Sequence, residues 1–185
     1  NKKSGDKNMN TWKEMINKKI DAIEDLEKKL PLSEEEKKMI QTISERHPMC
    51  ITDYYMNLID PTDPKDPIRR LAIPNVDELN PHGTYDTSGE EDNTVMQGFQ
   101  HKYQSTALVL STNQCFVYCR FCFRKRMVGY TEDEILRRMI ETVEYLKKHQ
   151  EIDNVLISGG DSLTLSNQVI ERYLKELSTI KHLDF

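Results

Sequence analysis

Cys115, Cys119 and Cys122 fall within eight residues in a C-x3-C-x2-C spacing, which fits three thiolates onto one iron–sulfur cluster. A four-iron cluster normally takes four cysteines, so three leave one iron open to a ligand that is not protein. The run Leu108-Val109-Leu110-Ser111-Thr112-Asn113-Gln114 before Cys115 is apolar and then polar, which places the cysteines on a loop after a strand. A structural zinc ion, with Cys50 or His101 as its fourth ligand, is the alternative. Zinc modules usually pair two short-spaced arms, and here there is one. Disulfides use cysteines in pairs, which suits poorly a chain of four with three crowded together.

The elements that must hold this loop are legible from Thr106 onward. Thr106–Thr112 reads as a buried strand. Thr131 and Glu134 form a capping box for a helix carrying Ile135, Met139, Ile140, Val143 and Leu146 on its inner face. Val155-Leu156-Ile157 is a second buried strand, Ser166 caps a helix with Ile170, Leu174 and Leu177 inward, and Leu183–Phe185 begins a third strand. This alternation predicts an α/β fold with parallel strands, as in a barrel or a doubly wound sheet, with the site on the loops after the strands. The second such loop is Ser158-Gly159-Gly160-Asp161, where two glycines let a ligand come close to the backbone; a plain tight turn is the alternative.

Upstream, residues 1–8 are polar and expected to be disordered. Trp12, Ile16, Ile20, Ile23, Leu26 and Leu30 recur at helical spacing and predict one amphipathic helix from Asn10 to Leu30. Ser33 and Glu36 form a capping box for a second helix with Met39, Ile40 and Ile43 inward, and a third short helix follows Pro48. Cys50 there reads as a small buried hydrophobe. Pro61, Pro64, Pro67, Pro74 and Pro81 mark an extended, helix-poor connector, and the acidic stretch Asp86–Asp92 reads as solvated loop. The organisation expected is a helical region over 1–59, a connector over 60–105 and an α/β region over 106–185.

Composition narrows the function classes. A net charge of −5 over 185 residues argues against a general nucleic-acid binder, and no apolar run reaches the length that spans a bilayer. Free thiols suit a reducing, cytoplasmic compartment. From His101 to Tyr130 the chain carries Lys102, Arg120, Arg124, Lys125 and Arg126 and no acid, a local surplus that predicts an anion site around the cysteines.

The motif Cys115-Phe116-Val117-Tyr118-Cys119-Arg120-Phe121-Cys122 resembles the signature of the radical S-adenosylmethionine (SAM) superfamily. Residues 60–185 further resemble the lysine 2,3-aminomutase family through Asp66-Pro67-Ile68-Arg69-Arg70, Ile73-Pro74, His101-Lys102-Tyr103, Cys119–Arg126 and Leu156–Asp161. The resemblance implies the first βα units of a truncated, partial (β/α)6 TIM-like barrel. It implies a 4Fe-4S cluster on the three cysteines, S-adenosylmethionine chelated at the open iron, and pyridoxal 5'-phosphate as second cofactor. Phe121 would lie against the adenine and Gly159-Gly160-Asp161 would bind the methionine amino group, with Asp161 where Glu is more usual. Lys102-Tyr103 would contact pyridoxal phosphate, and Arg124 would grip the substrate carboxylate, a role suited to a planar two-donor fork.

The reaction so implied moves the 2-amino group of an amino acid to carbon 3, with an electron donor such as flavodoxin or ferredoxin and a homo-oligomeric complete protein. Gln104-Ser105-Thr106 and Cys122-Phe123-Arg124 depart from the lysine-specific pattern and look more like the glutamate 2,3-aminomutase subgroup. Thr106 stands where a phosphate-binding Arg is expected. Lysine 2,3-aminomutase and the enzyme acting on elongation factor P lysine are the alternatives within the family, and a non-catalytic metal-binding fragment is the alternative outside it. The resemblance places the pyridoxal lysine beyond residue 185.

Overall fold

The computed structural model describes residue 14 and residues 17–80, 82–125 and 132–184, the side chains of 132–137 excepted. The chain forms two compact units, residues 1–84 with 116–126 and residues 85–115 with 127–185.

The first unit departs early from the expected single helix. Lys19–Ile20 (β1) pairs antiparallel with Ile51–Thr52 (β2), and only Ile23–Leu26 forms a helical turn nearby. Ile20, Leu26 and Leu30 are all buried, so the apolar spacing is satisfied by a strand and a turn as well as by a helix. The residues at 10–13, 15 and 16 lie outside the described set. The second helix is as expected: Glu34–Arg46 (α1) starts at Ser33, whose side chain accepts from Glu36 N while Glu36 returns the bond to Ser33 N. Ile40 and Ile43 are buried, with Met39 against the same core of Leu26, Leu30, Ile51, Met56 and Ile73.

The proline-rich stretch is more structured than its composition predicts. Pro67–Ala72 forms a helix (α2) with Asp66 as N-cap, because proline is tolerated at the first helical position. Val76–Leu79 is a 3-10 turn closed by a capping box of Asn75 and Glu78.

In the second unit Thr94–Met96 (β3), Phe99–Tyr103 (β4), Thr106–Thr112 (β5) and Asn154–Gly159 (β6) form one sheet in that order. β3, β4 and β5 are antiparallel and β5–β6 is parallel, so the sheet is mixed, with two antiparallel strands ahead of the expected βαβ unit. Part of the acidic stretch is helical too: Glu90–Asn93 forms a single turn whose amides at Glu90 and Glu91 donate to the Asp86 carboxylate.

Glu132–Lys148 (α3) links the parallel strands and Asn167–Leu177 (α4) follows β6, starting at Ser166, which accepts from Val169 N. Phe99, Val109, Met139, Val143, Leu146, Ile152, Tyr173 and Leu177 make the core. Two inner-face expectations fail: Ile140 and Leu174 are exposed, and α4 instead presents Val169, Tyr173 and Leu177. A 3.6-residue period fits either row, and the row with the aromatic buries more area. Thr131 and the Ile135 side chain lie outside what is described, and no strand forms at 183–184.

β6 is an outer strand, and Leu156 is 53% exposed rather than buried. An outer strand with apolar side chains is a template for association. The 185-residue chain should therefore self-associate as concentration rises, and Leu156→Lys should shift it toward monomer by light scattering. Monodisperse monomer at every concentration would contradict this.

Candidate cofactor site

The two motif loops leave the same end of adjacent parallel strands, because β5 and β6 pair in register from Thr106↔Asn154 to Leu110↔Ser158 and, after an irregularity, at Thr112↔Gly159. Gly160 N donates to Thr112 O at 2.6 Å and Asp161 N to Gln114 O at 2.8 Å, which binds the second loop to the start of the first. Gly159 has φ of 141°, and a Cβ on it would run into the Thr112 backbone. A Cβ on Gly160 would lie 2.8 Å from Cys115 Sγ. Both glycines are therefore required by close approach, and Gly160 leaves the space in which the Cys115 sulfur sits. Ser111 Oγ donates to the Ser158 carbonyl at 2.9 Å, and the Asp161 carboxylate accepts from Leu163 N at 3.1 Å.

Cys115 belongs to the second unit and Cys119 and Cys122 to the first. Within the first unit the loop is pinned by its backbone: Tyr118 N donates to Cys50 O and Arg120 N to Leu71 O, each at 2.8 Å. Arg120 is the strongest attachment. Its Nε and Nη2 donate to the Glu78 carboxylate at 2.9 and 2.7 Å, and Nη1 donates to the carbonyls of His47 and Pro48 at 3.2 and 3.0 Å. Lys125 Nζ adds a third donor to Glu78 at 2.9 Å. Burial pushes the Glu78 carboxyl up, but the bonds from Arg120 and Lys125 outweigh it and hold Glu78 below its ordinary value.

Glu78 takes up part of the basic surplus around the loop. It pairs with both Arg120 and Lys125 and offsets one of their two charges, Lys102 Nζ donates to Ser88 O at 2.8 Å, and the Arg124 guanidinium lies 4.5 Å from the Phe123 ring centroid. Arg126 lies outside the described residues. Sequence reading missed Glu78; the signal was there in the Asn75-x-x-Glu78 capping box.

Cys115, Cys119 and Cys122 are in no disulfide, and none of the three is fully buried. Burial pushes the Cys119 thiol up, and its neighbour Cys122 pushes it the same way. Cys50, in contrast, is buried with its thiol pushed up by burial, and the ligand-type group that contains His101 includes no cysteine among the described residues. Phe121 is 75% exposed, so its ring is open to a ligand. Tyr103 is exposed too, with Lys102 Nζ 5.8 Å from its ring centroid.

Residues 109–183 match the profile of the Radical SAM superfamily. Along nearly its whole length the chain is also similar to aminomutases. L-lysine 2,3-aminomutase of Clostridium subterminale is 34% identical over 182 residues, 97% of this chain and 44% of its own. Glutamate 2,3-aminomutase of Clostridioides difficile is 33% identical over 178 residues, 95% of this chain and 42% of its own. An Aquifex aeolicus relative is 41% identical over 167 residues, 90% of this chain and 45% of its own. The chain thus spans less than half the length of these relatives. The superfamily carries a 4Fe-4S cluster and S-adenosylmethionine, and lysine 2,3-aminomutases use pyridoxal phosphate.

Glu78→Gln leaves the Arg120 guanidinium buried without its counter-charge, a change that costs about 3 kcal/mol. Thermal melting should show that loss at neutral pH. Because the Glu78 value is lowered in the folded chain, its contribution is present above the ordinary carboxylate range and lost as pH falls through the folded value. The wild-type melting temperature should therefore fall in acid more steeply than that of Glu78→Gln. Parallel acid limbs would contradict the assignment.

Proposed function

We propose that this chain is the cluster- and SAM-binding part of an amino acid 2,3-aminomutase, an isomerase that moves a 2-amino group to carbon 3. The observation that carries the reading is the Gly159-Gly160-Asp161 turn lying against Cys115, at the carboxyl ends of two neighbouring parallel strands. In α/β folds that end of the sheet is where ligands bind. The βαβ unit supports a first part of a (β/α)6 barrel completed by further strands of the longer protein.

Each motif residue has a role in this reading. Cys115, Cys119 and Cys122 hold the cluster. Gly159, Gly160 and Asp161 offer backbone to the methionine amino end of S-adenosylmethionine, and Phe121 lies against its adenine. Lys102 and Tyr103 contact pyridoxal phosphate, and Arg124 binds the substrate carboxylate as a two-donor fork. When bound, the cofactors supply a carbon-centred radical for hydrogen abstraction and an acceptor for the migrating nitrogen. The chain's own residues fix the distances and keep water away. A small flavodoxin- or ferredoxin-type donor reduces the cluster, the complete protein is a homo-oligomer, and the free thiols suit the cytoplasm. No described helix is long and apolar enough to cross a membrane.

Glutamate is the substrate this reading favours, supported by Gln104-Ser105-Thr106 and Phe123-Arg124, which depart from the lysine-type pattern. The lysine reading is supported by the names of most of the relatives. The complete protein, reconstituted and offered each amino acid, should convert glutamate to its 3-amino isomer faster than lysine to its own. Arg124→Lys should lower kcat/KM for the preferred substrate roughly 10- to 100-fold. Faster turnover of lysine would overturn the assignment of glutamate, and an unchanged kcat/KM would remove Arg124 from the substrate.

A further inference from the structure

A second group of ligating side chains lies away from the cysteines, at the end of the β4–β5 hairpin. His101, His149 and Glu151 each offer one ligand atom, and the three atoms lie within 4.8 Å of one another. They come from different places in the sequence: β4, the residue after α3, and the turn that follows. We propose that these three residues form a binding site for a divalent cation of the zinc class, separate from the cluster.

The chemistry of the set suits such an ion. Two imidazoles and a carboxylate are borderline-to-hard donors, the combination found at open zinc sites in which water completes the tetrahedron. The orientation of His101 supports ligation. Its Nε2 lies 3.2 Å from the Gln104 carbonyl and its Nδ1 lies 3.0 Å from Tyr145 Oη. A carbonyl only accepts, so in the neutral ring Nε2 carries the proton and the Nδ1 lone pair accepts from Tyr145 Oη, a hydrogen bond that an entering ion displaces. Metal-binding histidines are held in this way, with the other ring N–H donated to a carbonyl.

The second histidine is held as firmly. Its ring stacks on Tyr145 at 3.9 Å between centroids, and Tyr145 meets His101 edge-on at 5.9 Å, so one phenol ring positions both imidazoles. His149 Nδ1 and Glu151 Oε1 are 2.7 Å apart, a distance that implies a shared proton. A cation entering the group replaces that proton, which leaves to water.

The backbone prearranges the ligands. Ile152, fully buried, donates its N–H to His149 O at 3.2 Å, and the amides of Asp153 and Asn154 both donate to Ser105 O, at 3.0 and 3.1 Å. The hairpin carrying His101 and the turn carrying His149 and Glu151 are thereby fastened together without a metal. The bound ion ties β4 to the carboxyl end of α3, immediately beside Lys102 and Tyr103.

Zinc titration of the 185-residue chain by calorimetry tests this, with the accessible thiols alkylated so that Cys115, Cys119 and Cys122 do not compete. One equivalent of zinc should bind, and Mg²⁺ at the same concentration should not displace it. His149→Ala and Glu151→Gln should each weaken binding by at least about 10-fold, while His182→Ala leaves it unchanged. A cobalt titration of the same alkylated chain provides a second reading, since a site of nitrogen and oxygen ligands adds d–d bands without a thiolate charge-transfer band. Absence of stoichiometric zinc binding, or equal affinity in His149→Ala and Glu151→Gln, overturns the proposal.

Discussion

A guanidinium set between two cysteines is the constraint on which the first unit's share of the site depends. Arg120 is almost wholly buried, and an unpaired buried cation costs several kcal/mol. The fold meets that cost with one carboxylate, from Glu78, and two backbone carbonyls, from His47 and Pro48. The loop has little freedom as a result. Arg120 turned inward leaves its neighbour Phe121 turned outward, and Cys119 and Cys122 flank both. Proline at 48 contributes a carbonyl, and the capping box at Asn75 presents Glu78. The upstream segment thus acts as the seat of the cysteine loop.

The second unit holds its own cysteine by a different device, the absence of side chains. Gly159 and Gly160 let the turn after β6 press on Thr112 and Gln114, and Cys115 follows directly. Any Cβ at either position would meet backbone or sulfur. Charge pairing in one unit and close packing in the other reach the same end, which is a thiol with a fixed address on an otherwise irregular loop.

Much of this was legible in the residues. The cysteine spacing, the Gly-Gly-Asp turn, the capping boxes at Ser33 and the cap at Ser166 each rest on local chemistry, and local chemistry reads directly. The misreadings share a cause. Apolar pattern along the 10–30 stretch, α4 and β6 does not say which neighbour covers a given row: Ile20 pairs with Ile51 of β2, and Tyr173 rather than Leu174 enters the core. The basic surplus from 101 to 130 was counted without its partner, because Glu78 lies 42 residues from Arg120 in sequence. The strands β3 and β4 are short, and their sequences, Thr94–Met96 and Phe99–Tyr103, carry little apolar alternation by which to read them.

The central claim is that Cys115, Cys119 and Cys122 hold an iron–sulfur cluster with one open iron. Anaerobic reconstitution of the chain with iron and sulfide, followed by EPR of the reduced protein with and without S-adenosylmethionine, tests it most directly. About four irons per chain, with a signal that changes on adding S-adenosylmethionine, is the predicted result. A chain that takes up zinc at the cysteines and forms no cluster would contradict it.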